Sequence, residues 1–153
     1  MRTRFLAVAL LLIASVLPFA ASAATCSVDL TGNDAMKYNV ANIDVSKSCK
    51  TFTINLKHTG KMARNVMGHN VVIAKTSDIA GIDKDGVKAG LAADYVKAGD
   101  PRVIAHSKVV GGGESTSVQI PVAKLVAAKA PLSFFCSFPG HSALMKGTIT
   151  LKP

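Results

Sequence analysis

The chain has 153 residues, with 18 lysines and arginines against 9 aspartates and glutamates, a formal excess of +9; 49% of it is apolar and only 5% aromatic. That apolar share excludes a disordered chain, and the length suits one domain with a real core. A basic excess favours nucleic acid, but the lysines stand singly and no aromatic residues interleave with them, so no nucleic-acid partner is expected.

The first element is MRTRFLAVALLLIASVLPFAASA. Two arginines, an apolar run over 5–19 and the small-residue site Ala21-Ser22-Ala23 form a secretory signal peptide, cleaved after Ala23. A membrane anchor needs about 20 apolar residues, and Pro18 arrives sooner. A lipoprotein leader fits poorly, because Thr25 rather than a small Ala or Gly precedes Cys26. Residues 1–23 are therefore assigned to the signal and 24–153 to one domain of 130 residues, with no membrane insertion after cleavage. Losing Arg2 and Arg4 with the signal lowers the excess from +9 to +7.

Strand signals follow. CSVDL begins at Cys26 and CKTFTINL at Cys49, and in the latter Phe52, Ile54 and Leu56 alternate toward one face. NVVIAK (70–75), RVIAHSKVV (102–110), SVQIPV with Val118, Ile120 and Val122, LSFFC (132–136) and GTITLK (147–152) continue the pattern. TGND, KHTG, GGGE and PGHS supply turns between them. Seven or eight short strands in 130 residues predict an all-β sandwich or barrel. The segment 76–100 departs from this: Val87, Leu91 and Tyr95 are four apart, which predicts a short helix lying over the sandwich.

Three cysteines in an exported chain leave at least one unpaired. Cys26 and Cys49 lie early and flank 22 residues, and a bridge between them would stabilise the fold by roughly 3 kcal/mol in the chain-entropy model. Cys136 is then a free thiol in an oxidising compartment, a liability unless buried or held by a metal. It begins the stretch CSFPGHSALMKG, where His141 and Met145 follow at spacing C-x4-H-x3-M between two strands. Thiolate, imidazole and thioether are soft or borderline ligands that suit copper, and two imidazoles and a thiolate in a plane with a weak axial methionine make a blue-copper site. The second imidazole could come from His58, His69 or His106. His69 has the best context, after Gly68 at the start of an apolar strand.

The segments ATCSVDLTGND, SCKTFTINLKHTG, RNVMGHN, RVIAHSKVVGGGE and FFCSFPGHSALMKGTITLK together resemble the azurins, the bacterial periplasmic blue copper proteins of the cupredoxin family, over essentially the whole of 24–153. The resemblance implies a Greek-key β-sandwich or barrel of about eight strands with one short helical flap. It implies one type 1 copper held by His69, Cys136 and His141 in a plane, with Met145 as long axial ligand and the Gly68 carbonyl opposite. Asn70 and Phe138 would donate backbone amides to the cysteine sulfur, and the Asn70 side chain would join the ligand segments through Ser137. The Cys26–Cys49 bridge matches the family disulfide. His58 resembles a partly buried, pH-responsive position and His106 a surface one. An apolar docking patch would comprise Met36, Met62, Met67, Val87, Pro139, Gly140 and Ala143 around His141, which reaches the surface through that rim. Val71 stands where azurins often carry a buried tryptophan.

The implied function is a periplasmic, monomeric one-electron carrier that exchanges with c-type cytochromes and a nitrite reductase. A copper storage or delivery protein uses similar ligands but favours exposed sites with repeated Met or His motifs. A hydrolase with Cys136 as nucleophile and His141 as base would leave Met145 and His69 unexplained. A structural zinc site is disfavoured because thioether is a poor zinc ligand.

Overall fold

A computed structural model describes residues 24–153. The segment 1–23, read above as a signal peptide, lies outside the described residues. Alternating apolar residues build two mixed sheets that pack face to face. One is four-stranded, in the order β2 (Lys37–Tyr38), β1 (Ser27–Asn33), β4 (Thr51–His58), β7 (Ser115–Pro121). The other is five-stranded, in the order β3 (Asn42–Ser46), β9 (Lys146–Lys152), β8 (Leu132–Phe135), β5 (Val72–Lys75), β6 (Val103–His106). The pairs β1–β4 and β3–β9 are parallel, and the remaining neighbours antiparallel. Nine strands thus form the expected sandwich.

The alternation read from the sequence is the alternation of the core. Phe52, Ile54 and Leu56 of β4 are buried, as are Val118 and Ile120 of β7. Val122, read as the next strand position, is also buried but opens the short helix α3 (Val122–Ala127), which turns Leu125 into the same core. Strand β8 is buried along its whole length, so Leu132 to Phe135 face protein on both sides. Continuous apolar sequence is what such a central strand requires. Val71, in place of a larger ring, is fully buried in the main cluster.

The helical segment forms, but with a different extent and face. A 3-10 turn at Thr76–Asp78 leads into α2 (Ile79–Ala89), which ends at Gly90; Leu91–Ala93 form another 3-10 turn, and Asp94 and Tyr95 have left-handed φ. The buried residues are Ile82 and Gly86, whereas Val87 is 53% exposed. Of the expected stripe, Val87 faces outward, while Leu91 and Tyr95 lie beyond the end of the helix and pack half-buried against the main core. The reason is Gly86: a Cβ there would stand 2.1 Å from the Tyr95 carbonyl oxygen, so the chain folds back onto the helix at the residue with no side chain. Arg102 fastens this arrangement by pairing with Asp85 on α2 and with the nearly buried Asp100 before β6.

The two ends of the sandwich differ in what they carry. Cys26 and Cys49 are bonded at the ends of β1 and β4 where those strands begin. At the opposite end β1, β4 and β8 finish and β5 and β9 start, and every candidate metal residue lies there. A third short helix, α1 (Arg64–Met67), sits beside them and was not foreseen.

Candidate metal centre

Four chain segments converge at that end. His69 is held by a two-way backbone bridge to Val110, donating from its N–H at 2.9 Å and accepting at 2.8 Å. Cys136 follows the last residue of β8, and its N–H donates to the Met145 carbonyl at 2.9 Å, which closes the loop into the start of β9. Within the loop the Met145 N–H donates to the His141 carbonyl at 2.7 Å, so His141 and Met145 are fixed relative to each other.

The structure brings His69, Cys136 and His141 together, with one ligand atom from each within 4.8 Å of the others. Cys136 Sγ stands 4.0 Å from His69 Nδ1, 3.7 Å from His141 Nδ1 and 3.9 Å from the Gly68 carbonyl oxygen. Met145 is fully buried beside them: a Cβ on Gly32 would fall 2.8 Å from the His69 ring and 3.2 Å from the Met145 methyl. Glycine at position 32 therefore gives the ring and the thioether their space.

Hydrogen bonds choose which imidazole atom faces the cluster. His69 Nε2 donates to the Asn33 carbonyl at 2.9 Å, leaving Nδ1 as the lone-pair side toward Cys136. Burial, first among several causes, lowers the His69 pKa, and burial followed by the neighbouring His69 and His58 lowers that of His141 to about 4. Both rings are neutral at neutral pH, the form that binds a metal. Cys136 is pushed up to about 12 by burial, opposed by backbone N–H groups of Asn70 and Phe138 that donate to its sulfur. An ion bound here would have to displace a proton from the thiol, and its positive charge supplies the compensation that the buried protein lacks.

The Asn70 side chain joins the two ligand segments. Its Nδ2 donates to Ser137 Oγ at 2.8 Å and to the Asp94 carbonyl at 2.9 Å, and its Oδ1 accepts from the Ser137 N–H at 2.9 Å. Tyr38 Oη donates to the Asn70 carbonyl at 2.5 Å. Phe138 packs against the rings of His141 and Tyr95, with centroids at 4.6 Å and 5.1 Å.

The other histidines separate cleanly. His106 is exposed at the edge of β6. His58 corrects the expectation of a partly buried residue: it is fully buried and stacked on His69 at 4.2 Å with 11° between the ring planes. Its Nδ1 accepts from the Gly60 N–H at 3.0 Å and its Nε2 donates to the Met67 carbonyl at 2.8 Å. Both nitrogens are occupied by backbone, so His58 supports the neighbouring ring rather than offering a ligand atom. His141 is only 3% exposed, so just an edge of its ring reaches the surface.

Of the residues expected to line a docking patch, Pro139, Gly140 and Ala143 are exposed, as are Met62 at 41% and Val87 at 53%, while Met36 and Met67 are half-buried. Two further apolar residues belong to the same segments: Leu144 at 64% and Val66 at 53% exposed. Sequence reasoning missed both; the signal for Leu144 was an apolar side chain between two site residues in a loop otherwise made of turn formers.

A trio of two imidazole nitrogens and one thiolate sulfur, enclosed and with a thioether beside it, fits copper by donor chemistry. The comparisons agree. The model of the "Copper binding proteins, plastocyanin/azurin family" matches residues 24–152. The azurin of Bordetella pertussis is 63% identical over 129 residues, covering 84% of this chain and 85% of its own. That of Achromobacter denitrificans is 56% identical over 143 residues, 94% of each chain. The solved structure of an azurin isoform from the obligate methylotroph Methylomonas sp. strain J superposes with a TM-score of 0.80 at 42% identity, covering 85% of this chain and all of that one. Nine strands in the shared sandwich, an enclosed His-Cys-His cluster and a family match spanning the domain lead to one conclusion: the chain belongs to the plastocyanin/azurin family of copper-binding proteins and is a blue copper electron-transfer protein with one type 1 copper.

Proposed function

We propose that His69 Nδ1, Cys136 Sγ and His141 Nδ1 would hold that copper, with the Met145 thioether and the Gly68 carbonyl as weaker contacts to it. The observation that supports this most is the convergence of the three ligand atoms within 4.8 Å in a place where both imidazoles turn their Nδ1 lone pairs toward one sulfur. The copper, when bound, supplies a one-electron couple between Cu(I) and Cu(II). The protein's part is to keep the donors where they are in both states. Backbone bonds at His69, Cys136 and Met145, and the Asn70–Ser137 link, make that set rigid, so little has to move when an electron arrives.

A mobile carrier in the periplasm, exported by the signal at 1–23, is the reading favoured over an enzyme or a copper delivery protein. Cys136 is fully buried and protonated without metal, which suits neither a nucleophile nor an exchangeable site. No helix among the described residues is long and apolar enough to cross a membrane. Redox proteins are the partners of this family, and c-type cytochromes and a nitrite reductase are the ones we propose. They would meet the patch of Met36, Met62, Met67, Val87, Pro139, Gly140 and Ala143, where the His141 edge is the shortest way to the cluster.

The test is a visible spectrum of the mature chain with one equivalent of Cu(II). An intense blue band that disappears in Cys136→Ser supports the assignment; a blue Cys136→Ser protein overturns it. Met145→Leu should stay blue with a raised potential, because removing an electron-donating thioether disfavours Cu(II). Met67→Lys should slow self-exchange while leaving the band unchanged. Unchanged self-exchange would move the docking patch elsewhere.

A further inference from the structure

Four segments frame the His141 edge, and their mutual positions are fixed by bonds already described or adjoining them. The turn between β1 and β2 brings Met36, and its Asn33 carbonyl accepts from His69. The stretch before α1 brings Met62 and is tied to that turn, because the Asp34 carboxylate accepts the Lys61 N–H at 2.8 Å and the Met62 N–H at 3.4 Å. Helix α2 brings Val87 and is tied to the ligand loop by the Ser142 hydroxyl, which donates to Asp83. The ligand loop itself brings Ala143 and Leu144.

Each segment sets an exposed lysine beside its apolar residue. Lys37 follows Met36, Lys61 precedes Met62, Lys84 and Lys88 flank Val87 on α2, and Lys146 follows Met145. None of the five has an ion-pair partner among the described residues. The acidic groups of the same segments are engaged: Asp34 with backbone amides, Asp83 with Ser142 and Asp85 with Arg102. The outcome is an apolar centre bordered by five lysines against three carboxylates, one of which is paired with Arg102: a collar of net positive charge on a domain whose total charge has the same sign.

We infer that the electron-transfer partner is a redox protein whose exposed cofactor edge is ringed by carboxylates, and that Lys37, Lys61, Lys84, Lys88 and Lys146 orient the encounter. This rests on the carrier reading above and adds the partner's chemistry to it. An apolar contact desolvates easily but gives no orientation, and transient redox interfaces are small, under about 1,200 Å² in total. Charges around the rim supply the missing orientation and raise the encounter rate without holding the complex together. Because the lysines surround the apolar centre, they favour a partner that brings its own apolar centre and acidic rim. An anionic lipid surface would engage the collar but offer nothing to the centre.

The experiment uses the copper-loaded mature protein in stopped-flow reduction by two probes, the acidic soluble haem domain of a b-type cytochrome and a basic c-type cytochrome. In each, a ferrous haem becomes ferric and gives up one electron, which reduces Cu(II) to Cu(I); no bond forms or breaks. Between about 10 and 300 mM ionic strength, where the Debye length falls from about 30 Å to under 10 Å, the rate with the acidic probe should drop roughly tenfold and that with the basic probe should rise. At low salt the pair Lys84→Glu and Lys88→Glu should slow the acidic probe about fivefold or more with the blue band intact. Lys50→Glu with Lys124→Glu, at the disulfide end, should slow it less than about twofold. Equal slowing by the two pairs, or no salt dependence, overturns the collar. So does co-sedimentation of the wild type, but not the collar variant, with vesicles of phosphatidylcholine and phosphatidylglycerol, which would assign these lysines to a lipid surface. Failure to exchange electrons even with hexacyanoferrate would instead remove the carrier reading, so the two failures are told apart.

Discussion

The two ends of the sandwich reach rigidity by different means. At the Cys26–Cys49 end a covalent bond and apolar side chains, Phe52, Val122 and Leu125 among them, hold the strands. At the metal end five polar side chains, His58, His69, Asn70, Ser137 and His141, are buried instead. Burying polar atoms is costly unless they are bonded, and here nearly all are: among the described residues only Asp83 Oδ1 is buried with no partner. The comparison teaches that one end tolerates truncation in proportion to lost area or loop constraint. The other end should fail abruptly, because its members satisfy one another and removing one leaves the rest unpaired.

The widest contrast is between cysteines. Cys136→Ser should abolish the blue band, whereas Cys26→Ala with Cys49→Ala should keep it and lose roughly 3 kcal/mol of stability, measured by denaturant titration of both variants. A colourless disulfide variant that remains folded would show that the ends are coupled.

A second variant sharpens the polar side. Asn70→Ala removes three hydrogen bonds and leaves the buried Ser137 N–H unpaired, while the Ser137 hydroxyl keeps the Asp94 carbonyl, so it should cost about 2–3 kcal/mol and shift the potential as well. A conservative apolar change at the other end, Ile120→Val, should cost about 1 kcal/mol and leave the potential alone. Equal costs would erase the distinction.

Acid should weaken the metal end selectively in the apoprotein. His141 has its pKa lowered from an ordinary 6.5 to about 4, so between those values the unfolded chain binds a proton that the folded chain refuses. Stability is then complete above pH 6.5 and falls as the pH drops toward 4, by an amount on the order of 2–3 kcal/mol. Urea midpoints of apo wild type and His141→Gln across that range check this; the variant should have a shallower slope, the remainder coming from His69, whose pKa is also lowered. An identical slope in both would assign it to other groups.

The smallest effect concerns Asp83, whose carboxyl is raised by burial and bonded to Ser142. A raised carboxylate pKa means the folded state resists ionisation, so this group lowers stability as pH rises through the raised value. Asp83→Asn keeps an acceptor for Ser142 without the charge and should leave neutral-pH stability within about 1 kcal/mol of wild type, or slightly above it. A larger loss would show that the ionised form is required.

The sequence by itself determined the sandwich, the odd cysteine and the ligand loop. Period-two alternation at Phe52, Ile54 and Leu56 records which face is buried, and that information is local. The spacing of Cys136, His141 and Met145 is local too, since one short loop carries all three. His69 was legible only through its neighbours Gly68 and Asn70, because it is 67 residues from Cys136 and nothing in spacing ranks it over His58. Tertiary structure decided between them by handing both His58 nitrogens to backbone atoms while leaving His69 Nδ1 free. It also decided the inward face of α2, since the chain turns back at Gly90 and lays the Tyr95 carbonyl on Gly86, a reversal that helical periodicity does not encode. The collar of lysines was likewise hidden: five single charges scattered over more than a hundred residues become one surface only when three loops and helix α2 meet at one end of the sandwich. Contacts between distant segments are set by how the sheets pack, and no window along the chain contains them.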